Sequence, residues 1–121
     1  MTPPRIDKKK REWISGRRCA CCGAYPPNDP AHQSILGNSG MGMKPPDREM
    51  IPLCRDCHQK SETEIGWDIL RLWKEKRPDL WVDEPHKADP SNGFLYDKHD
   101  LREWIFIQCE SYDQLWKATR K

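Results

Sequence analysis

Two cysteine pairs, each with the spacing C-x-x-C, restrict the possible folds of this 121-residue chain more than any other feature. The first pair is Cys19 and Cys22, and the second is Cys54 and Cys57. Four thiolates in two such pairs are a common ligand set for tetrahedral zinc. Disulfides and a redox motif are the alternatives, but a redox motif requires one C-x-x-C beside a βαβ pattern. The glycine- and proline-rich surroundings favour a structural Zn²⁺. Two further cysteines are predicted to stay outside this site: Cys21 and Cys109.

The segment between the two pairs is unusually long. It has 31 residues between Cys22 and Cys54, whereas a simple zinc ribbon has roughly 15–20. A segment of this length inside a small domain usually carries function or its own secondary structure. Polar and glycine residues that suit a functional site lie in it or directly after it: His32, the glycine-rich run 37–42, Lys44, Asp47 and His58. We therefore expect the zinc to enclose a functional insert.

The motifs follow one another in a recognisable order. Ala31-His32 comes after the first C-x-x-C, followed by the glycine-rich run, Lys-Pro-Pro-Asp at 44–47, and Cys-x-x-Cys-His ending at His58. This order resembles the zinc-clasped HNH endonucleases, also called His-Me finger or ββα-metal nucleases. The chain is especially similar to small prophage nucleases and phage recombination-enhancement (Ref-like) proteins, over about a third of its length.

The resemblance implies a small α+β fold, with a zinc-clasped ββα-metal (HNH) core and additional C-terminal helices. It also implies a metal-dependent DNA endonuclease, encoded by a phage or prophage, that hydrolyses phosphodiester bonds in recombination or DNA processing. The implied cofactors are structural Zn²⁺ and a catalytic Mg²⁺ or Mn²⁺. The implied partners are DNA and recombination or packaging proteins.

Phosphodiester hydrolysis needs a base for water and a held metal ion. His32 is the candidate base, because an imidazole is half-titrated near neutral pH. His58 is the candidate metal ligand, and Asp47 either binds the same ion or orients His32. Many HNH proteins have Asp or His before the base, where this chain has Ala31, and a histidine four positions after the Cys-His histidine, where it has Glu62. Residues i and i+4 share a helix face, so Glu62 could still reach the ion held by His58.

Two other classes of function fit the same residues. One is a catalytically inactive, zinc-clasped DNA-binding or protein-interaction module. The other is a structural partner in a recombination or packaging complex that binds through the acidic C-terminal half. Taken singly, His32 and His58 could be ordinary surface histidines, and Asp47 could cap a turn. Metal-dependent nicking of plasmid DNA would separate the endonuclease from both alternatives.

Charge is distributed unevenly along the chain. The formal net charge is +2, but residues 1–18 carry +5 and residues 61–121 carry −3. A basic segment beside a nuclease-like core predicts contacts with DNA phosphates, while a solvated terminus is the alternative. The candidate phosphate-binding residues are Lys8, Lys9, Lys10, Arg11, Arg17, Arg18 and Lys44.

Composition argues for a single small domain that needs a metal. The mean hydropathy is −1.00 and 33% of residues are charged, so little apolar material is available for a core. A structural zinc contributes roughly 10–16 kcal/mol of apparent binding energy to such a fold. No apolar run approaches the roughly 18 residues of a membrane span, and no signal peptide opens the chain. With unoxidised cysteine pairs, this predicts a cytoplasmic protein without a membrane partner.

Hydrophobic spacing and breakers predict the elements. We expect a helix over 7–15, extended segments over 31–36 and 48–53, helices over 53–62 and 63–77, a loop over 78–96, and a last helix over 97–117. This divides the chain into a basic segment (1–18), a zinc-clasped core (19–64) and a helical extension packed on it (65–121). The predicted inner face of the last helix is Leu101, Trp104, Ile105, Gln108, Tyr112, Leu115 and Trp116.

Overall fold

A hairpin of two short antiparallel strands lies at the centre of the fold. The computed structural model describes residues 8–33, 49–61 and 69–119. In these ranges the elements are α1 (Lys8–Ser15), β1 (Asp29–His32), β2 (Met50–Leu53), α2 (Arg55–Ser61), α3 (Ile69–Lys76) and α4 (Lys98–Thr119). The predicted small α+β fold with additional C-terminal helices is therefore confirmed.

The predicted and observed elements differ mainly at their ends. β1 starts at Asp29, two residues before the predicted segment, because Asp29 already pairs with Leu53 of β2. The predicted continuation of β1 over 34–36 lies outside the described residues, as do positions 62–68 of the two following helices. The order of hairpin and then helix is the order that the sequence predicts for the core.

β2 forms the inner wall of the hairpin. Its sequence is Met-Ile-Pro-Leu, and all four residues are buried. The helices α1, α2 and α4 all contact this strand, which explains why it is apolar on both faces rather than alternating. An apolar cluster joins the hairpin residue Ile51 to Cys57 of α2, Leu72 of α3 and Ile105 of α4. The hairpin and the C-terminal helices thus share one core.

α4 packs on the core through most of the face that its sequence predicts, with one residue wrongly assigned and one missed. Leu101, Ile105 and Cys109 are buried at intervals of four residues, and Trp116 continues the same face. Leu115 was predicted to face inward, but it is 55% exposed. One residue corresponds to about 100° of helix rotation, so Leu115 and Trp116 cannot both centre on the core. The assignment of Leu115 was wrong, and the buried Cys109 was missed.

The connection between α3 and α4 is a packed loop, as predicted for residues 78–96. It contains three single turns of 3-10 helix, each beginning with a proline: Pro78–Leu80, Pro85–Lys87 and Pro90–Asn92. Backbone hydrogen bonds from Leu95 N to Leu80 O (2.7 Å) and from Val82 N to Leu95 O (2.8 Å) hold it together. α4 then begins after Asp97, whose carboxylate accepts from Asp100 N at 3.0 Å. This N-cap agrees with the predicted start of the helix.

No helix in residues 8–33, 49–61 and 69–119 combines the length and the apolar composition needed to cross a membrane.

Candidate metal centre and adjoining histidine

The two cysteine pairs come together at one point between β2 and the start of α2. The Sγ atoms of Cys19, Cys22, Cys54 and Cys57 all lie within 4.8 Å of one another. The Sγ atoms of Cys22 and Cys54 are 3.7 Å apart. A tetrahedral zinc with Zn–S bonds of 2.3 Å separates its sulfurs by about 3.8 Å. The four cysteines therefore form a plausible metal site with dimensions that fit zinc.

Local backbone geometry shapes each half of this site. The turn after Cys19 closes through a bond from Gly23 N to Cys19 O at 2.9 Å. Gly23 has φ +79°, a left-handed conformation that glycine adopts without a steric penalty. A bond from Ala20 N to Pro52 O at 2.7 Å ties this turn to β2. The turn and the strand thus bring cysteines from distant parts of the sequence to one place.

The thiols influence one another's acidity. The thiol of Cys57 donates to Cys19 and lowers the pKa of Cys19 to about 4, more than offsetting the effect of burial. The pKa of Cys57 is raised, because hydrogen bonding with Cys19 and with Cys21 and burial all favour its protonated form. Burial likewise raises the pKa of Cys22. The cluster therefore favours a thiolate at Cys19 and thiols at Cys22 and Cys57, and these two thiols must release their protons to bind a cation such as Zn²⁺.

The two remaining cysteines do not join the ligand set. Cys21 is 1% exposed and Cys109 is 2% exposed, and neither belongs to the cluster of potential metal ligands found in the described residues. All six cysteines are free thiols, so the alternative of paired disulfides is not observed. Burial raises the pKa of Cys109 to about 12, so it remains a neutral, apolar core residue.

His58 lies at the edge of the cysteine cluster and faces a carboxylate. It follows Cys57 in the first turns of α2, and its ring Nδ1 is 3.0 Å from Asp29 Oδ2. Arg55 Nε donates to the same oxygen at 3.2 Å. The bond with His58 and the charge of Arg55 hold the pKa of Asp29 below its usual value, against the effect of burial. The side chains of His58 and Asp29 are 33% and 30% exposed, so solvent reaches the pair.

Asp29 was not among the predicted site residues. Its position follows from the hairpin register, in which Asp29 pairs with Leu53 and so lies beside the start of α2. The sequence predicts a strand that begins only at residue 31, and this prediction does not bring Asp29 to His58. The sole signal available was an aspartate three residues before His32 on the same segment.

Of the other predicted catalytic residues, the structure describes only His32. His32 is the last residue of β1, is half-buried and pairs with Met50 in the register. It lies about 10 Å from Asp29 along the strand, at roughly 3.3 Å per residue. Asp47, Glu62 and Lys44 lie outside the described residues.

The predicted basic surface divides into two groups. Lys8 and Lys9 are exposed at the start of α1, and Arg17 and Arg18 are exposed just after it. The guanidinium of Arg17 lies 4.8 Å from the ring centroid of Trp13, and that of Arg18 lies 4.2 Å from the Tyr25 ring. These four side chains remain accessible to a polyanion.

Lys10 is different from its neighbours. It is 4% exposed, and its Nζ lies 2.6 Å from Asp113 Oδ1 of α4. The expectation that Lys10 contacts DNA is therefore corrected: its ammonium is held inside the fold because the helix face that carries it packs against α4. Arg11, the next residue, is half-buried.

The described structure defines a small α+β protein with a cluster of four cysteines that could hold a metal ion, at the junction of a hairpin and a helix. The chain belongs to the family described as "Protein of unknown function (DUF968)", which matches residues 5–68. The matched region contains both cysteine pairs, β1, β2 and α2.

One relative is the uncharacterized protein YdfU of Escherichia coli strain K12. It is 39% identical over 59 residues, which cover 49% of this chain and 17% of YdfU. The similarity thus concerns about half of this chain and about a sixth of that protein. No solved structure matches the chain significantly.

Proposed function

We propose that this protein is a metal-dependent DNA endonuclease of the HNH type. The observation that carries the proposal is the position of His58, a partly exposed imidazole fixed between a metal-binding cysteine cluster and the carboxylate of Asp29. The order of hairpin and helix around it, with His32 on β1 and His58 on α2, corresponds to the order of elements that the resemblance to HNH endonucleases implies.

Each of these residues has a separate role in the proposed hydrolysis of a phosphodiester. His32 accepts a proton from the attacking water, whose oxygen forms a bond to phosphorus while the bond to the leaving oxygen breaks. His58, together with Asp47 and Glu62, would hold a divalent Mg²⁺ or Mn²⁺. When bound, this ion supplies charge stabilisation to the phosphoryl and leaving oxygens. The four cysteines with zinc keep α2, and hence His58, in a fixed position.

DNA is the proposed substrate because four exposed lysine and arginine side chains lie close together in the sequence. Lys8, Lys9, Arg17 and Arg18 are all exposed within eleven residues. Cationic side chains of this kind neutralise backbone phosphates without reading sequence. The resemblance to phage proteins supports a role in recombination or DNA processing, in the host cytoplasm and alongside recombination or packaging proteins.

A second candidate is a DNA-binding or protein-interaction module without catalytic activity. Two observations favour it. Among the described residues, the four cysteines are the single cluster with three or more potential metal ligands. The departure at Ala31, which stands before His32 where many HNH proteins have Asp or His, points the same way.

Cleavage of supercoiled plasmid by zinc-loaded protein tests the proposal. Mg²⁺ and Mn²⁺ are titrated from a metal-free buffer rather than removed with a chelator, which would also extract the zinc. The wild type should cleave, and His32→Ala should lose about 10²–10⁴-fold in rate. His86→Ala is the matched control, because the His86 side chain is 76% exposed and lies beside Glu84.

The outcomes separate the two candidates. A wild type that retards DNA but never cleaves it under either metal would favour the binding module. Full activity in zinc-loaded His32→Ala would refute His32 as the base.

A further inference from the structure

We propose that the Tyr25 ring, backed by the Arg18 guanidinium, is a stacking platform for an unpaired base, and that this surface binds single-stranded DNA. The proposal rests on the proposed function for DNA as the polyanion, and goes beyond it in naming the form of DNA that is bound. The platform lies on the loop between the first cysteine pair and β1.

Tyr25 is a large aromatic side chain that the fold does not bury. It is 75% exposed, the highest fraction among the exposed large hydrophobic side chains of residues 8–33, 49–61 and 69–119. The Arg18 guanidinium lies 4.2 Å from the centroid of its ring, within the range of cation–π contacts. The guanidinium thus covers one face of the ring, and the high exposure leaves the opposite face to solvent.

A second pair of arginine and aromatic ring close by serves the fold instead. The Arg17 guanidinium lies 4.8 Å from the centroid of the Trp13 ring. Trp13 also packs against Tyr112 and Trp116 of α4, so its ring docks α1 on the last helix. In the described part of the chain, Tyr25 belongs neither to the apolar core cluster nor to the half-buried side chains around it. Its ring therefore contributes little to the fold.

The backbone holds both members of the platform in place. The side-chain amide of Asn28, which is 6% exposed, donates to Arg17 O at 2.8 Å and to Ala24 O at 3.1 Å. These two acceptors directly precede Arg18 and Tyr25 in the sequence, so one buried amide ties the two halves of the platform together. A surface that is already formed loses less conformational entropy when a ligand binds.

The surroundings of the platform are basic. Residues 16–28 contain two arginines, both exposed, and no acidic residue. Lys8 and Lys9 are exposed at the far end of α1, a helix of eight residues, which is about 12 Å long. A strand with a base on Tyr25 therefore has cationic side chains near its phosphates. Proteins that bind single strands combine charge and aromatic stacking in this way.

The form of DNA follows from what an exposed ring can contact. In a duplex each base is paired and stacked on its neighbours, so its faces are closed to a protein side chain. An unpaired base can leave the stack and place one face on an aromatic ring, and every base has such a face. The platform therefore fits a single strand, whereas a duplex gains only the phosphate contacts.

Affinity for oligonucleotides tests the platform, measured by fluorescence anisotropy on zinc-loaded protein without Mg²⁺ or Mn²⁺. The probes are a short strand without self-complementarity, its duplex, and an abasic strand of the same length. Tyr25→Ala should bind the base-containing strand about 5- to 150-fold more weakly, with unchanged affinity for the other two probes. Tyr25→Trp should keep the affinity, because it retains an aromatic ring. Tyr96→Ala is the matched control, since Tyr96 is also an exposed tyrosine, at 39%.

The dependence on salt separates stacking from charge. Arg18→Gln removes a charge, so it should reduce the slope of log affinity against log salt on the single strand by about 0.7. Tyr25→Ala removes no charge and should leave this slope unchanged. Zinc content and thermal unfolding should match the wild type in each variant, because the substituted side chains are exposed.

The outcomes separate failure of the platform from failure of the proposed function. Unchanged affinity of Tyr25→Ala for the base-containing strand would overturn the platform, as would an equal loss on the abasic strand or in Tyr96→Ala. Tighter binding of RNA of the same sequence would overturn DNA as the partner. A protein with the expected Tyr25 dependence that never cleaves DNA would support the platform and refute the endonuclease. A protein that cleaves DNA, with full affinity in Tyr25→Ala, would refute the platform alone.

Discussion

Lys10 Nζ lies 2.6 Å from Asp113 Oδ1 and joins the first helix to the last. The side chains of the two residues are 5% and 19% exposed, so the pair is largely removed from water. Nearby, the ring of Trp13 packs against those of Tyr112 and Trp116, with centroid distances of 6.5 and 5.9 Å. The part of the basic N-terminal segment that forms α1, Lys8–Ser15, is therefore docked on α4.

Removing the Lys10 ammonium should destabilise the protein. We expect Lys10→Met to lower the free energy of unfolding by about 1–3 kcal/mol, because it removes the buried one of the two ammonium groups that contact the shielded carboxylate of Asp113 and leaves only the exposed Lys117. Urea denaturation measures the change. Lys9→Met is the control, since Lys9 is exposed beside Lys10. Equal stability of the two variants would show that the Lys10–Asp113 pair contributes nothing.

The same pair should make stability depend on acid pH. Burial alone would raise the pKa of Asp113, but hydrogen bonds from Lys10 and Lys117 outweigh it and hold the pKa below its usual value. A carboxylate with a lowered folded-state pKa stabilises the protein above its unfolded-state pKa, near 3.9, and loses this contribution as pH falls through the folded-state pKa. The difference in unfolding free energy between wild type and Asp113→Asn should be constant near neutral pH and shrink below about pH 4. Zinc content is measured at each pH, and a difference that grows on acidification would contradict the assignment.

The cysteine cluster should bind one zinc per chain through four residues. Serine at position 19, 22, 54 or 57 should remove the zinc and unfold the protein, because the fold depends on the metal's binding energy. Cys21→Ser is a demanding control, since Cys21 is buried next to the cluster but is not part of it. The apparent zinc affinity should fall as pH falls, since the thiols of Cys22 and Cys57 have raised pKa values and must release protons to bind. The measurement is the zinc-to-protein ratio of each variant. A ratio that drops for Cys21→Ser but not for Cys19→Ser would show that Cys21, and not Cys19, is the ligand.

The cysteine site could be predicted from the sequence because C-x-x-C places two sulfurs on one local turn. The turn at Gly23 and the first turn of α2 each need only a few residues to form. The start of α4 was predictable for the same reason, since the Asp97 cap is local.

Features that depend on contacts between distant elements could not be predicted in this way. The approach of Asp29 to His58 depends on the hairpin register, and the burial of Lys10 depends on how α1 docks on α4. The buried face of α4 shows the same limit. Helical spacing permits either Leu115 or Cys109 on the inner face, and only the packing against the hairpin selects Cys109.

Exposed lysines on α1 should contribute to DNA affinity. We expect the double variant Lys8→Gln/Lys9→Gln to bind all DNA sequences more weakly and to reduce the slope of log affinity against log salt by about 2, roughly one per phosphate contact. Lys87→Gln/Lys98→Gln is the matched control, because it removes the same charge from exposed positions elsewhere. Fluorescence anisotropy over a salt series measures both slopes. Identical slopes for the two double variants would mean that the start of α1 does not contact DNA.

His58 and His32 should fail in different ways when replaced by alanine. His58→Ala removes a proposed ligand, so cleavage should be lost at low metal concentration and partly restored by raised Mn²⁺, with weaker Mn²⁺ binding as the primary defect. His32→Ala removes a proton acceptor that acts in the transition state, so its Mn²⁺ and DNA affinities should match the wild type and no metal concentration should restore the rate.

Asp47→Asn should resemble His58→Ala if Asp47 binds the ion, and should be milder if it only orients His32. Plasmid cleavage and Mn²⁺ binding are measured together over one concentration series, with His86→Ala as the control. Normal Mn²⁺ affinity in a zinc-loaded, inactive His58→Ala would exclude His58 as a ligand, since a lost ligand must weaken binding before it slows the chemistry.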